Sequence, residues 1–149
     1  MMRISVKGRY AIAALISMAQ QYSSGEYITV ISISEKLGIS KIYLEQVFSL
    51  LKKEGIVSST KGAQGGYQLT KTPREITVLE VLQAVETSLF EQTQETVLEK
   101  APDIEKALQL SVFDVLDKNI RQTLSSMTIA DMVSEVERHK IDNAMMFYI

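Results

Sequence analysis

Residues 29–70 leave this chain few choices of fold. Thr29 can cap a short helix with Val30, Ile33 and Leu37 on one face, and Gly38 follows where a left-handed residue closes a helix without a Cβ penalty. Ser40 then caps a second helix, predicted over Lys41 to Lys53. Its Leu44, Val47, Phe48 and Leu51 recur at helical spacing and form one apolar stripe. Gly55 ends it. Two helices joined by a three-residue turn containing glycine make a helix-turn-helix. Directly after it, Ile56–Thr60 and Tyr67–Thr70 alternate as short strands. Between them, Lys61-Gly62-Ala63-Gln64-Gly65-Gly66 holds three glycines in six residues, which permits a tight hairpin with a cation near its tip. A hairpin in that place is a wing. With a first helix over about Ser5–Gln21, ending in Ser23-Ser24-Gly25, the order of elements predicts a winged helix.

Beyond Pro73, Thr77 and Glu80 have the spacing of a capping box, opening a helix with Val78, Val81, Leu82 and Val85 on one side. Residues 87–102 are polar, acidic and aperiodic, and read as a linker or loop. A long helix is predicted from Asp103 to about Leu124 on the pattern Ile104, Leu108, Val112, Val115/Leu116 and Ile120. Its second apolar set, Leu110, Phe113 and Leu124, makes it apolar on more than one face, as expected of a helix that also meets another subunit. Thr128 and Asp131 cap a last short helix carrying Ile129, Met132, Val133 and Val136, followed by an apolar tail from Asn143 to Ile149. The predicted class is mainly α with a small β-hairpin. It divides into a winged helix-turn-helix domain (1–86), a loop (87–102) and a dimerisation part (103–149).

Composition removes much chemistry. The chain has no cysteine and one histidine, His139, which excludes disulfides, thiol nucleophiles, thiolate-held iron–sulfur clusters and His-cluster metal sites. The net charge of −2 hides a division: residues 1–74 hold ten Lys/Arg against four Asp/Glu, residues 75–149 six against fourteen. A basic half joined to an acidic half points the first alone at a polyanion. Arg3, Lys7 and Arg9 ahead of an apolar run imitate a signal peptide. The run from Ala11 to Ala19 is only nine residues and follows helical spacing, whereas about 20 are needed to span a bilayer. A buried first helix in a cytoplasmic protein, with no membrane partner, is expected.

With Leu44, Val47 and Leu51 turned inward, the second helix of the pair presents Lys41, Ile42, Tyr43, Glu45 and Gln46 outward. Gln46 can pair with adenine, Glu45 can accept from cytosine and reject other sequences, and Ile42 can touch a thymine methyl. Ser40, Lys41 and Tyr43 suit phosphates. Lys52 and Lys53 fit the negative end of the helix dipole better than a ligand. Lys61 on the hairpin can meet a minor groove. Arg3, Lys7 and Arg9 oppose the dipole at the start of the first helix, which a nearby phosphate backbone would explain. No active site emerges: the glutamates are not paired for acid–base work, and the glycine-rich segment does not lead into a helix.

Met2-Arg3-Ile4-Ser5-Val6-Lys7-Gly8-Arg9-Tyr10-Ala11, Gly38-Ile39-Ser40 with Tyr43-Leu44-Glu45-Gln46, Lys61-Gly62-Ala63-Gln64-Gly65-Gly66-Tyr67 and Ile76-Thr77-Val78 together resemble the Rrf2 family of winged-helix transcription regulators. The resemblance covers residues 1 to about 90, and more loosely the long helix and Thr128-Ile129-Ala130-Asp131. It implies a homodimeric repressor in which long helices cross and each winged helix reads half of a palindrome on double-stranded DNA. DNA contacts in such proteins fall on the positions of Tyr43, Glu45, Gln46 and Lys61. Cluster-binding members carry three cysteines in the stretch matching residues 87–102, where this chain has none, so no iron–sulfur cofactor is expected. Met146-Phe147-Tyr148-Ile149 is similar to the end of a cluster-free branch that represses cysteine-metabolism genes together with the enzyme O-acetylserine (thiol)lyase. That likeness implies a partner-binding tail ending at Ile149, the alternative being that the tail packs on the protein's own dimer core. Two other readings stay open: a small molecule sensed between the winged helix and the long helix, and a protein-interaction module that has lost DNA binding.

Overall fold

The computed structural model describes residues 4–62, 65–91 and 94–147. Helix α1 (Val6–Ala19) is capped by the Ser5 side chain, α2 (Val30–Leu37) by Thr29, and α3 (Lys41–Lys53) by Ser40. Gly38 closes α2 at φ 68°, in the left-handed region that glycine enters freely. Strands β1 (Val57–Thr60) and β2 (Gly66–Leu69) form the hairpin, pairing Val57 with Leu69 and Ser59 with Tyr67. Their bounds fall one residue from those expected. Helix α4 (Val78–Val85) opens on the predicted capping box: Thr77 accepts from the Glu80 N–H while the Glu80 carboxylate accepts from the Thr77 N–H.

One core joins these elements. Leu15, Met18, Ile33, Leu44, Val47, Phe48, Leu51, Ile76 and Val81 are sealed from solvent, and each such side chain contributes about 1.5–3 kcal/mol through burial. The core also crosses into the C-terminal part. Ile129 is fully buried within it, and paired backbone bonds from Val78 to Met127 (2.8 Å) and from Ile129 to Ile76 (2.9 Å) stitch the two stretches together. A smaller cluster of Val78, Leu82 and Leu124 gathers Leu89, Phe90 and Ile120, so the loop after α4 is anchored at its first turns.

Two expectations need correction. The long helix comprises α5 (Pro102–Leu108), a π-helical turn (Gln109–Phe113) and α6 (Asp114–Ser125). Leu110 and Phe113, the apolar residues out of phase with the main stripe, lie inside that π turn. The last helix is not short: α7 runs Ile129–Met146, 18 residues, and absorbs most of the expected tail. Neither glycine nor proline interrupts residues 129–149, and Glu135–Arg138 and Glu137–Lys140 pairs line its polar side. Among the described residues no helix is long and apolar enough to cross a membrane.

Candidate nucleic-acid interface

Helix α3 is anchored on one side and free on the other. Leu44, Val47, Phe48 and Leu51 are fully buried, while Ser40, Lys41, Ile42, Glu45 and Gln46 are exposed. Ile42 is 71% exposed, an apolar side chain left in water at the tip of a capped helix. Ser49, absent from the sequence-based candidates, extends the same face by a turn and is exposed. Spacing of three from Gln46 was its signal.

Several candidates have duties that the sequence does not reveal. The Ser40 Oγ accepts from the Tyr43 N–H at 3.2 Å, leaving its own proton for an external acceptor. Lys41 lies 3.7 Å from Glu45, a loose i,i+4 ion pair on the exposed front. Tyr43 departs from the expected outward set. Its ring is mostly covered and meets Tyr10 edge-on at 5.2 Å between centroids, joining α1 to α3. Lys7 is half-buried one turn before Tyr10, and Arg9 is exposed. Arg3 lies outside the described residues. So do Tyr148 and Ile149, while Met146 ends α7 and Phe147 behind it is 89% exposed.

The wing is fixed to α3 by contacts that the sequence does not reveal. Tyr67 stacks on Phe48 at 4.6 Å, tying β2 to the back of the helix. Its N–H and C=O exchange hydrogen bonds with Ile28, both 2.8 Å, which adds a third short strand position to the hairpin. Gly66 makes this pairing possible: at φ 149°, a Cβ there would sit 2.5 Å from the Ile28 carbonyl oxygen. Lys61 follows β1 directly and is exposed, on the arm that these contacts aim. Behind the wing, the Lys71 ammonium reaches Glu80 at 2.5 Å. Partial burial pushes the Glu80 carboxyl upward, but Lys71 and the Thr77 cap outweigh it and hold it below the usual glutamate range.

The long helix carries the other unpartnered surface. Ile104, Leu110, Val112, Phe113, Val115 and Leu116 are all exposed on a single chain. Where the 87–102 loop meets this helix, the nearly buried Glu105 accepts from the Thr96 N–H and hydroxyl (both 3.2 Å) and from the Val97 N–H (3.0 Å). The Val97 N–H first, and the Thr96 groups after it, hold its carboxyl low against the opposing cost of burial.

Residues 4–135 match the family model described as Rrf2, iron-dependent transcriptional regulator. The HTH-type transcriptional regulator IscR of Photorhabdus laumondii is 38% identical over 136 residues, covering 91% of this chain and 82% of its own. Among solved structures, T. potens IscR superposes with a TM-score of 0.71 at 33% identity, covering 93% of this chain and 90% of that one. CymR of B. subtilis does so with 0.69 at 28% identity, covering 91% and 98%. These relatives are regulators, not enzymes. A thiolate-held iron–sulfur group does not fit the residues present: the chain has no cysteine, and Glu105 is spent on the loop backbone. Among the described residues no three His, Cys, Asp or Glu side chains gather as a metal site. With its helix-turn-helix, wing and long helix in the same order as these proteins, and a family match across most of its length, the chain belongs to the Rrf2 family of winged-helix transcription regulators.

Proposed function

We propose that the protein is a homodimeric repressor that reads palindromic operators with α3 and grips their backbone with the wing and the start of α1. One observation carries this reading: α3 is anchored by four sealed apolar side chains while Lys41, Ile42, Glu45 and Gln46 stand in solvent beside a wing bearing Lys61. Gln46, Glu45 and Ile42 supply base-edge chemistry, and Ser40, Lys41, Lys7, Arg3 and Lys61 supply phosphate and groove contacts. The exposed apolar side of the long helix supports pairing of two copies. Selecting bound duplexes from a random pool, then titrating the winner by fluorescence anisotropy, tests the reading. A two-fold symmetric winner bound by a dimer supports it. A flat trace at low salt overturns it in favour of an interaction module without DNA binding.

The likeness to CymR, described as the global cysteine regulator of B. subtilis, supports genes of sulfur and cysteine metabolism as targets. The resemblance of Met146-Phe147-Tyr148-Ile149 to the end of the cluster-free branch supports O-acetylserine (thiol)lyase as the partner that sets DNA affinity through these residues. Met146 and Phe147 leave the body of the single chain, consistent with a segment offered to another protein. Deleting Phe147–Ile149 should abolish any effect of the enzyme on operator binding while DNA binding itself stays measurable. A second reading has its own support. A cavity of about 640 Å³ lies between the loop and the long helix, lined by Leu89, Phe90, Leu108, Phe113 and Ile120 among others, within the about 300–1,000 Å³ usual for small-molecule sites. Calorimetry with a metabolite panel separates the two: saturable heat without the enzyme favours the cavity.

A further inference from the structure

Helix α1 starts against its own dipole. Lys7 and Arg9 lie in its opening turns, and its first turn holds no acid. The acceptor that holds this start in place comes from a distant part of the chain. Glu86, the residue that ends α4, accepts from the Ser5 N–H at 2.9 Å and from the Ser5 hydroxyl. The same Ser5 oxygen accepts from the Gly8 N–H at 3.2 Å, completing a relay from the backbone of α1 to the carboxylate. Gly8 is buried, and a Cβ there would lie 2.5 Å from the Glu86 oxygen and 3.1 Å from the Leu82 side chain. The approach depends on residue 8 having no side chain. The Ser5 hydroxyl thus links the Gly8 N–H to an acid 81 positions from the serine.

This contact lies between two functional parts. Along α1, Tyr10 meets Tyr43, which places the opening turns of α1 beside the opening turn of α3. On its other side the chain passes from Glu86 into the loop whose Leu89 and Phe90 pack with Ile120 and Leu124 of the long helix. We infer that Glu86 is a positioning residue for DNA binding: it locks the start of α1 to the end of α4 so that Lys7 faces phosphates while α3 occupies the groove. The inference rests on the DNA-reading function proposed above. What the position requires is an acceptor oxygen, so glutamine should serve and alanine should not.

The test is the salt dependence of operator affinity for the full chain, since each lost phosphate contact lowers the slope of log affinity against log salt by about 1. Glu86→Ala should flatten the slope by about 1 per protomer, Glu86→Gln should restore it, and adding Lys7→Ala to Glu86→Ala should change little further. An unchanged slope in Glu86→Ala, or a glutamine variant no better than alanine, overturns the inference while leaving the DNA-reading function standing. Failure of the unaltered protein to bind duplex DNA overturns that function instead, and this inference with it. If circular dichroism shows Glu86→Ala unfolded, Ser5→Ala removes the hydroxyl bonds alone and must flatten the slope in the same direction; an unchanged slope there overturns the inference too.

Discussion

The Gln46 side chain has no hydrogen-bond partner among the described residues, although it stands beside Lys41 and Glu45, which form an ion pair at 3.7 Å. An uncommitted amide on a rigid helix can meet adenine without first breaking a protein contact. Replacing it, Gln46→Ala, should cost about 1–3 kcal/mol on the preferred operator and level the preference at one base pair of each half-site. Lys61→Ala should act differently. It should weaken all duplexes alike and lower the salt slope by about 1 per protomer. Titrations of the preferred operator and a single-base variant, with Lys140→Ala on the exposed side of α7 as control, separate the two. Equal losses on both duplexes for Gln46→Ala would sink its assignment to base reading. The exposed front of α3 was legible because its buried stripe was: once Leu44, Val47 and Leu51 face inward, geometry assigns the rest. Tyr43 broke that logic, since an aromatic ring flanking a stripe can be drawn in by a neighbour from another helix, here Tyr10.

At the scale of elements, caps and breakers decided what could be read. Helix α3 falls on its predicted bounds because Ser40 starts it and Gly55 follows its end, both local signals. Helix α7 was underestimated because its apolar pattern fades after Val136 although nothing stops the helix. The π turn left only an indirect trace, two apolar sets out of phase, since an extra residue per turn is a backbone event with no residue code of its own. The wing's attachment was hidden for another reason: the Ile28–Tyr67 bridge links residues 39 apart in sequence, and Gly66 looks like any hairpin glycine. Gly66→Ala should therefore destabilise by about 1–3 kcal/mol from backbone strain with the clash against Ile28 added to it, a loss that urea unfolding would report and that Gly62→Ala, strained but with open space around it, should not exceed. Helix α4 carries a pH prediction. Because the folded Glu80 carboxyl titrates below its unfolded value, its stabilising effect is complete above the usual glutamate range and is lost as pH falls through the lowered folded value. Urea midpoints between neutral and acid pH should drop less steeply for Glu80→Gln than for the parent. Parallel curves would contradict the assignment.

Over the whole molecule, the two halves differ in how much of their apolar surface the single chain can bury. The winged helix buries most of its own, though Val6, Ile31 and Ile42 stay exposed; the long helix leaves Ile104, Leu110, Val112, Phe113, Val115 and Leu116 in water, six large apolar side chains crowded into residues 104–116. The sequence foretold a helix apolar on more than one face, but the sets divide differently: Leu124 of the second set is buried, while Ile104, Val112, Val115 and Leu116 of the main stripe stay exposed with Leu110 and Phe113. The proposed dimer follows, and with it a geometric demand: two copies of α3 must reach successive major grooves, about 34–36 Å apart or a multiple of that distance. Association and operator recognition are then linked, since one α3 alone makes only half the contacts. A double substitution on the exposed face, Phe113→Asp with Leu116→Asp, places four charges in each interface and touches no residue of the core. Sedimentation should show a monomer and circular dichroism unchanged helicity, and affinity for the full operator should fall to that for an isolated half-site. A monomer that still bound the full operator as tightly as the parent would separate dimerisation from DNA reading, and the spacing argument would go with it.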